Sequence, residues 1–291
     1  MEKTTSPQTI LITGTSSGFG SLGAQMLAAR GHVVYATMRN IDGEHEGDAR
    51  RLGSIPGITV LPLEMADTQS NQRAIQRVVD ERGGIDAIIN NAGSFFMGVG
   101  ESFTEEDLLH IYNVDVLGPW RLIRAALPSM RARKQGFILT VSSSLARFSC
   151  PFMTAYASGK HALEGLLQGM QHELKPYHID FSFIEPGIYP TRVFERYRRG
   201  SDAAVRTAYG PLGDIDLQVK QQLDGLFASG QANDPVLVAE AMLTLVETPN
   251  GQRPTRVPVD PSAGEITEAV NRVHDQAYQR FVRASGMGDL L

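Results

Sequence analysis

Several things are scarce or missing in this sequence. Cys150 is the only cysteine among 291 residues, so no disulfide can form within the chain and a reducing compartment is expected. There is no basic excess: 27 Lys and Arg against 32 Asp and Glu leave a formal net charge of −5. That balance argues against a nucleic-acid partner, because phosphate binding is driven mainly by Lys and Arg. No run approaches the roughly eighteen apolar residues that a membrane span needs. The opening stretch MEKTTSPQTILITG holds no sustained apolar segment, so no secretory leader is expected. Internal repeats, low-complexity tracts, linkers and metal-ligand clusters are lacking too. The expectation is one cytoplasmic domain over residues 1–291, whose 42% apolar content is ordinary for a globular chain with a substantial core.

What is present alternates. Short runs rich in Val and Ile read as strands: Thr9–Gly14, His32–Arg39, Ile58–Glu64, Ile85–Gly93, Phe137–Ser143, Ile179–Gly187 and, weakly, Thr255–Asp260. Helical patterns lie between them, at Gly20–Arg30, Thr68–Arg82, Glu105–Arg133 and Tyr156–Lys175. Strands that are apolar on both faces and joined by helices imply a parallel sheet covered on each side. With right-handed crossovers this is an α/β fold, a Rossmann-like doubly wound sheet of about seven strands. Residues 8–188 form its core. The looser segment 189–233 reads as a substrate-binding loop or lid, and 234–291 as a helix, the last strand and a terminal amphipathic helix at Ile266–Ala284.

Two stretches carry chemistry. TGTSSGFG (Thr13–Gly20) follows the first strand and opens a helix, which sets backbone N–H groups and the positive helix end against a pyrophosphate. Gly14 permits the tight turn, Gly18 lets phosphates approach, and Gly20 allows close packing. Further on, TAYASGKHALEG holds Tyr156 and Lys160 four residues apart, neighbours on one helix face. A tyrosine hydroxyl needs a nearby cation to work as an acid/base near neutrality. Lysine at about 4 Å and an effective dielectric near 20 offers roughly 4 kcal/mol.

With TGTSSGFG in place, four more stretches appear in order: NNAG (Asn90–Gly93), VSS ending a strand, YASGK, and PGIYPT (Pro186–Thr191). Together they resemble the short-chain dehydrogenase/reductase family over residues 8–192, with a flavour of its hydroxysteroid and retinol dehydrogenase branch. The resemblance implies an oxidoreductase in which Tyr156 exchanges a proton with the substrate oxygen. It implies that Lys160 also bonds the nicotinamide ribose and that Ser143 orients the substrate. The family's fourth catalytic position, commonly asparagine, falls on Asp115, two residues beyond Asn113. The family uses that residue's main-chain carbonyl to hold a water leading to the lysine. Asp115 keeps the carbonyl, and its carboxylate is expected to retune catalysis without abolishing it.

The resemblance also implies cofactor contacts from Ser16, Ser17 and Phe19 beside the glycines, from Glu64 and Met65 near the adenine, and from Asn91, Ala92 and Gly93 along the ribose. Pro186, Gly187, Ile188 and Thr191 would meet the carboxamide. An acidic residue ending the second strand would bond the ribose of NAD. Met38 stands there and Arg39 follows, which suits a 2′-phosphate and favours NADP(H) over NAD(H). Asp67 is expected to cap the helix beginning at Thr68. Phe95, Phe96, Met97, Phe148, Met153, Tyr189 and Phe194 are candidates to line a site for a small apolar alcohol or carbonyl compound, with Phe95, Phe148, Met153 and Tyr189 foremost. Arg192, Arg196, Arg198 and Arg199 read as a solvated loop face. Family members pair the helices around Leu108–Arg133 and Tyr156–Lys175, so a homodimer or homotetramer is expected. A non-catalytic NADP-binding regulator, or a lyase or epimerase on the same scaffold, remains open; turnover of the cofactor separates these.

Overall fold

The seven Val- and Ile-rich runs are strands: β1 (Thr9–Thr13), β2 (Val33–Met38), β3 (Ile58–Pro62), β4 (Ala87–Asn90), β5 (Gly136–Val141), β6 (Ile179–Pro186) and β7 (Arg256–Val259). In the computed structural model, which describes residues 6–291, they form one sheet in the order β3-β2-β1-β4-β5-β6-β7. Residues 1–5, part of the stretch read for a leader, lie outside the described residues. Every pairing is parallel. The strand order reverses between β1 and β4, where a doubly wound sheet opens its ligand crevice at the strand C-termini.

Ten α-helices accompany the sheet among the described residues: α1 (Gly18–Ala29), α2 (Glu46–Gly53), α3 (Thr68–Arg82), α4 (Glu105–Ile111), α5 (Leu117–Arg133), α6 (Thr154–Leu174), α7 (Ala203–Ala208), α8 (Ile215–Ala228), α9 (Val236–Glu247) and α10 (Gly264–Ala284). The period-2 alternation of β1 divides the core. Leu11 packs with Ile75 of α3, Leu122 of α5 and Leu163 of α6. Ile10 and Ile12 pack with Leu27 of α1 and Met242 of α9 on the opposite face. No helix of the described residues is long and apolar enough to cross a membrane.

Three departures from the sequence reading have physical causes. The eight-residue α2 was not anticipated, because only Leu52 of its EGDARRLG is buried and a single apolar residue shows no period. The helix expected to run unbroken from Glu105 to Arg133 is interrupted by a π-helical turn at Tyr112–Val116. That turn carries Asp115. Pro119, lacking an N–H, cannot donate to the Asp115 carbonyl four residues back, as a regular helix would require. Finally, the segment after residue 189 is docked onto the fold. Its residue Arg198 forms a parallel bridge with Phe96, and Arg198 N–H donates to the Phe95 carbonyl at 2.8 Å.

Candidate active site

The crevice is built by three loops leaving β1, β4 and β6. Gly14 has φ +70°, and a Cβ there would stand 2.7 Å from Ala92 Cα, so the first and second loops touch backbone to backbone. Asn91 secures that contact. Its side-chain amide donates to the carbonyls of Thr13 and Gly14 at 2.9 and 3.0 Å, and Thr13 Oγ1 accepts from the N–H groups of both Asn91 and Ala92 at 3.0 Å. Gly20 sits under the same amide, which explains its small size better than packing against the strand. The third loop closes in through Thr191, whose side chain lies against Gly18.

The start of α1 suits an anion. Ser17 is its N-cap residue, yet the hydroxyl makes no capping bond, leaving the first-turn N–H groups to another partner. Ser16 and Phe19 are half-buried beside it. Arg39 is exposed and has no ion-pair partner among the described residues. Burial first, and then the charges of Arg198 and Arg39, hold His110 of α4 below the usual histidine range. Glu64 is exposed nearby, and Asp67 caps α3 through Gln69 N–H at 2.9 Å, as expected.

The proton-handling groups converge at the ends of β4 and β5. Lys160 is buried to 6% exposure and its Nζ donates to the Val141 carbonyl at 3.1 Å, tying α6 to the strand end that carries Ser143. The same ammonium lies 5.6 Å from the centre of the Tyr156 ring. Ser143 begins a 3-10 turn and accepts from Leu145 N–H at 3.1 Å, which orients its hydroxyl. A Cβ on Gly93 would lie 3.3 Å from Asp115 Oδ2 and 3.8 Å from Lys160 Nζ, which places NNAG, Asp115 and Lys160 in one cluster. Asp115 accepts from Ser94 N–H with both oxygens, at 2.9 and 3.0 Å. Burial pushes its carboxyl from the ordinary 3.8 up to about 6, against the opposing pull of Lys160 and Ser94. Asn113 is turned to Arg121, which donates to its side-chain oxygen at 2.6 Å.

Aromatic rings wall the space beside Tyr156. Phe95 meets the Tyr156 ring edge-on at 4.8 Å and Phe194 at 5.0 Å; Phe194 in turn meets Phe227 at 5.6 Å. Phe148 and Met153 are half-buried.

Several expectations need correction. Tyr189 is 1% exposed, its hydroxyl donates to the Val259 carbonyl at 2.9 Å, and its ring packs on Phe19 at 5.3 Å, so it is core and not a substrate wall. Phe96 and Met97 are likewise fully buried. Met65 is 5% exposed under Gly118, and its carbonyl accepts from Asn71 and Arg121 at 3.2 and 3.3 Å, so it belongs to the packing and its side chain is not presented to a ligand. Pro186 is buried, and the Gly187 N–H donates to the Val259 carbonyl at 3.2 Å, which leaves Ile188, 46% exposed, as the side chain of this loop open to a ligand. The loop arginines are more than a solvated face. Arg192 and Arg196 pair with Asp48 and Glu44 at 3.5 and 3.3 Å, and Arg199 pairs with fully buried Asp216 at 2.7 Å. Ser94 carries no sequence signal at all; Thr13 stands at the head of the glycine motif, where its bonding role does not show, and Pro119 is the one mark of the π turn.

The residues present fit a nicotinamide dinucleotide: close-approach glycines, an uncapped helix start, and an unpaired arginine beyond β2. Residues 8–202 match the family described as short chain dehydrogenase. A 3-ketodihydrosphingosine reductase of Bacteroides thetaiotaomicron is 35% identical over 185 residues, which are 64% of this chain. The chain spans 65% of that reductase's length. A 17-beta-hydroxysteroid dehydrogenase type 1 of Homo sapiens is 32% identical over 252 residues, 82% of this chain and 74% of that protein. The crystal structure of a short-chain dehydrogenase from Streptomyces avermitilis superimposes with a TM-score of 0.77 at 26% identity, covering 97% of this chain and 98% of that one.

Proposed function

The chain belongs to the short-chain dehydrogenase family, and from that premise we propose that it is an NADP(H)-dependent oxidoreductase interconverting an apolar alcohol with its ketone or aldehyde. The observation that carries this reading is the Tyr156–Lys160 pair facing a wall of aromatic rings. When bound, the nicotinamide supplies or takes up the hydride at the substrate carbon. The proton belongs to the protein. Tyr156 gives it to, or takes it from, the substrate oxygen, and Ser143 holds that oxygen by a hydrogen bond. Lys160 keeps a positive charge beside the tyrosine, and its bond to Val141 fixes where that charge sits. Asp115, with a carboxyl near 6, sits behind Lys160 as a second proton-holding group.

Arg39 would take the 2′-phosphate, with Ser16 beside it. The glycine loop, Asn91–Gly93, Gly187, Ile188 and Thr191 would line the rest of the cofactor. Phe95, Phe194, Phe148 and Met153 would hold the apolar part of the substrate and exclude water from the reacting oxygen. The relatives' names, a 3-ketodihydrosphingosine reductase and a hydroxysteroid dehydrogenase, fall in the same substrate class. Exposed Leu108, Leu109, Leu117 and Leu166 on α4, α5 and α6 would form the contact of a homo-oligomer.

The test is a fluorescence titration with NADPH and NADH, followed by turnover of long-chain and polycyclic ketones. Tyr156→Phe should lose roughly 10²–10⁴-fold in kcat while still binding NADPH. Binding without any turnover would favour a regulator, and conversion with no net change in nicotinamide would favour an epimerase or lyase.

A further inference from the structure

Beneath the Ser143 turn lies a charge cluster that the proton chemistry does not use. Arg147, Glu164, Glu185 and Arg256 are each at most 7% exposed at the side chain. Arg147 pairs with Glu164 and, at 2.9 Å, with Glu185, while Arg256 reaches Glu164 at 3.3 Å. Two cations and two carboxylates balance, so no net charge is buried. α10 completes the cluster from outside. Asn271 donates to Glu185 at 2.5 Å, and Asp275, 41% exposed, accepts from Arg256 at 2.6 Å.

The placement along the chain is what matters. Arg147 ends the turn that Ser143 begins, and Ser142 donates to Glu164 at 2.5 Å. Glu164 is one helical turn beyond Lys160 on α6, on the same face. Glu185 immediately precedes Pro186 and Gly187. Arg147, Glu164 and Glu185 therefore each abut a different part of the candidate active site, and Arg256 and Asn271, about a hundred positions away from them in sequence, join those parts with Asp275 behind Arg256. Stability alone is a poor reason for such a cluster, since well-packed apolar residues often serve a buried site as well or better. A cluster of fixed hydrogen-bond directions does set the relative position of the elements it joins.

We propose that the Arg147–Glu164–Glu185–Arg256 cluster, closed by Asn271 and Asp275 of α10, is a positioning network that holds the Ser143 turn, α6 and the Pro186–Gly187 loop in register for reaction. It rests on the oxidoreductase reading above. Its members are positioning residues; none touches the reacting atoms.

The experiment uses the full chain with Asn271→Leu, which keeps volume but removes the donor, and Asp275→Asn at the solvent edge, which leaves folding least disturbed. Amide hydrogen exchange over residues 142–153 is measured together with kcat, KM and NADPH affinity. The expected result is faster exchange in that segment and a kcat lower by roughly ten- to a hundredfold, a larger fall than any loss of NADPH affinity. A lower Tm with exchange at 142–153 and kcat both unchanged would overturn the proposal and leave the cluster a packing feature. If the unsubstituted protein binds no nicotinamide, the oxidoreductase reading itself falls and takes the catalytic role of the network with it.

Discussion

Replacing Asp115 by asparagine should make the protein more stable at neutral pH, and the gain should vanish in acid. The buried carboxyl titrates at about 6 in the folded chain against an ordinary 3.8. A raised carboxyl means that the folded state binds the proton more tightly than the unfolded one. Stability therefore falls as pH rises from about 4 to about 6, and stays lowered above that window. The difference of roughly 2.2 pH units corresponds to about 3 kcal/mol of ionisation cost at pH 7. Asparagine is almost the same shape and still offers one oxygen to Ser94 N–H, so it removes the ionisation while keeping most of the packing. Urea unfolding of both proteins across pH 4 to 8 measures this directly. The expected stability difference, Asn minus Asp, grows by about 2.4 kcal/mol from pH 4 to pH 7 and is then flat. The same substitution should remove an inflection near pH 6 from the kcat profile. A stability difference that does not change with pH would refute the reasoning, because it would mean that Asp115 titrates alike in both states.

Arg39→Ala should weaken NADPH binding by about ten- to a hundredfold, the worth of a charge-assisted contact, and leave NADH binding unchanged in the same fluorescence titration. Gly14→Ala meets both the cost of φ +70° and the Ala92 backbone at 2.7 Å, so the first two loops must part. Its Tm should fall by about 5 °C or more and nucleotide binding should be lost, as calorimetry with and without NADPH would show. Phe194→Ser should raise KM for a long-chain ketone by about tenfold without altering KM for NADPH, measured in steady-state kinetics.

What could be read from the sequence, and what could not, follows from the range of the interactions involved. All seven strands were legible because parallel strands buried on both faces leave continuous apolar runs. Their ends were not: the runs were carried through Gly14, Gly93, Ser143 and Gly187, where small residues continue the pattern after the ladder has stopped. Those overruns are the loops that build the crevice. Short-range chemistry was equally legible, as Asp67 capping α3 shows. The π turn at Tyr112–Val116 was hidden because a five-residue stretch is too short to show a period of its own, although Pro119 marked it.

Long-range satisfaction is where local reading fails in a systematic way. Tyr189 lies within a motif that borders the crevice, and only the Val259 carbonyl, seventy positions away, draws its hydroxyl into the core. Ser142 lies just past the end of its strand with a buried hydroxyl that donates to Glu164, and Glu164 is in turn held by Arg256 of β7. A polar group earns burial only when its partners arrive, and here the partners arrive through β7 and α10. The C-terminal third, which resembles the family least, thus supplies the partners that decide how the family's motifs are held. Differences in activity among similar chains should accordingly be sought at positions such as Arg256, Asn271 and Asp275 as much as among the motif residues that all of them can share.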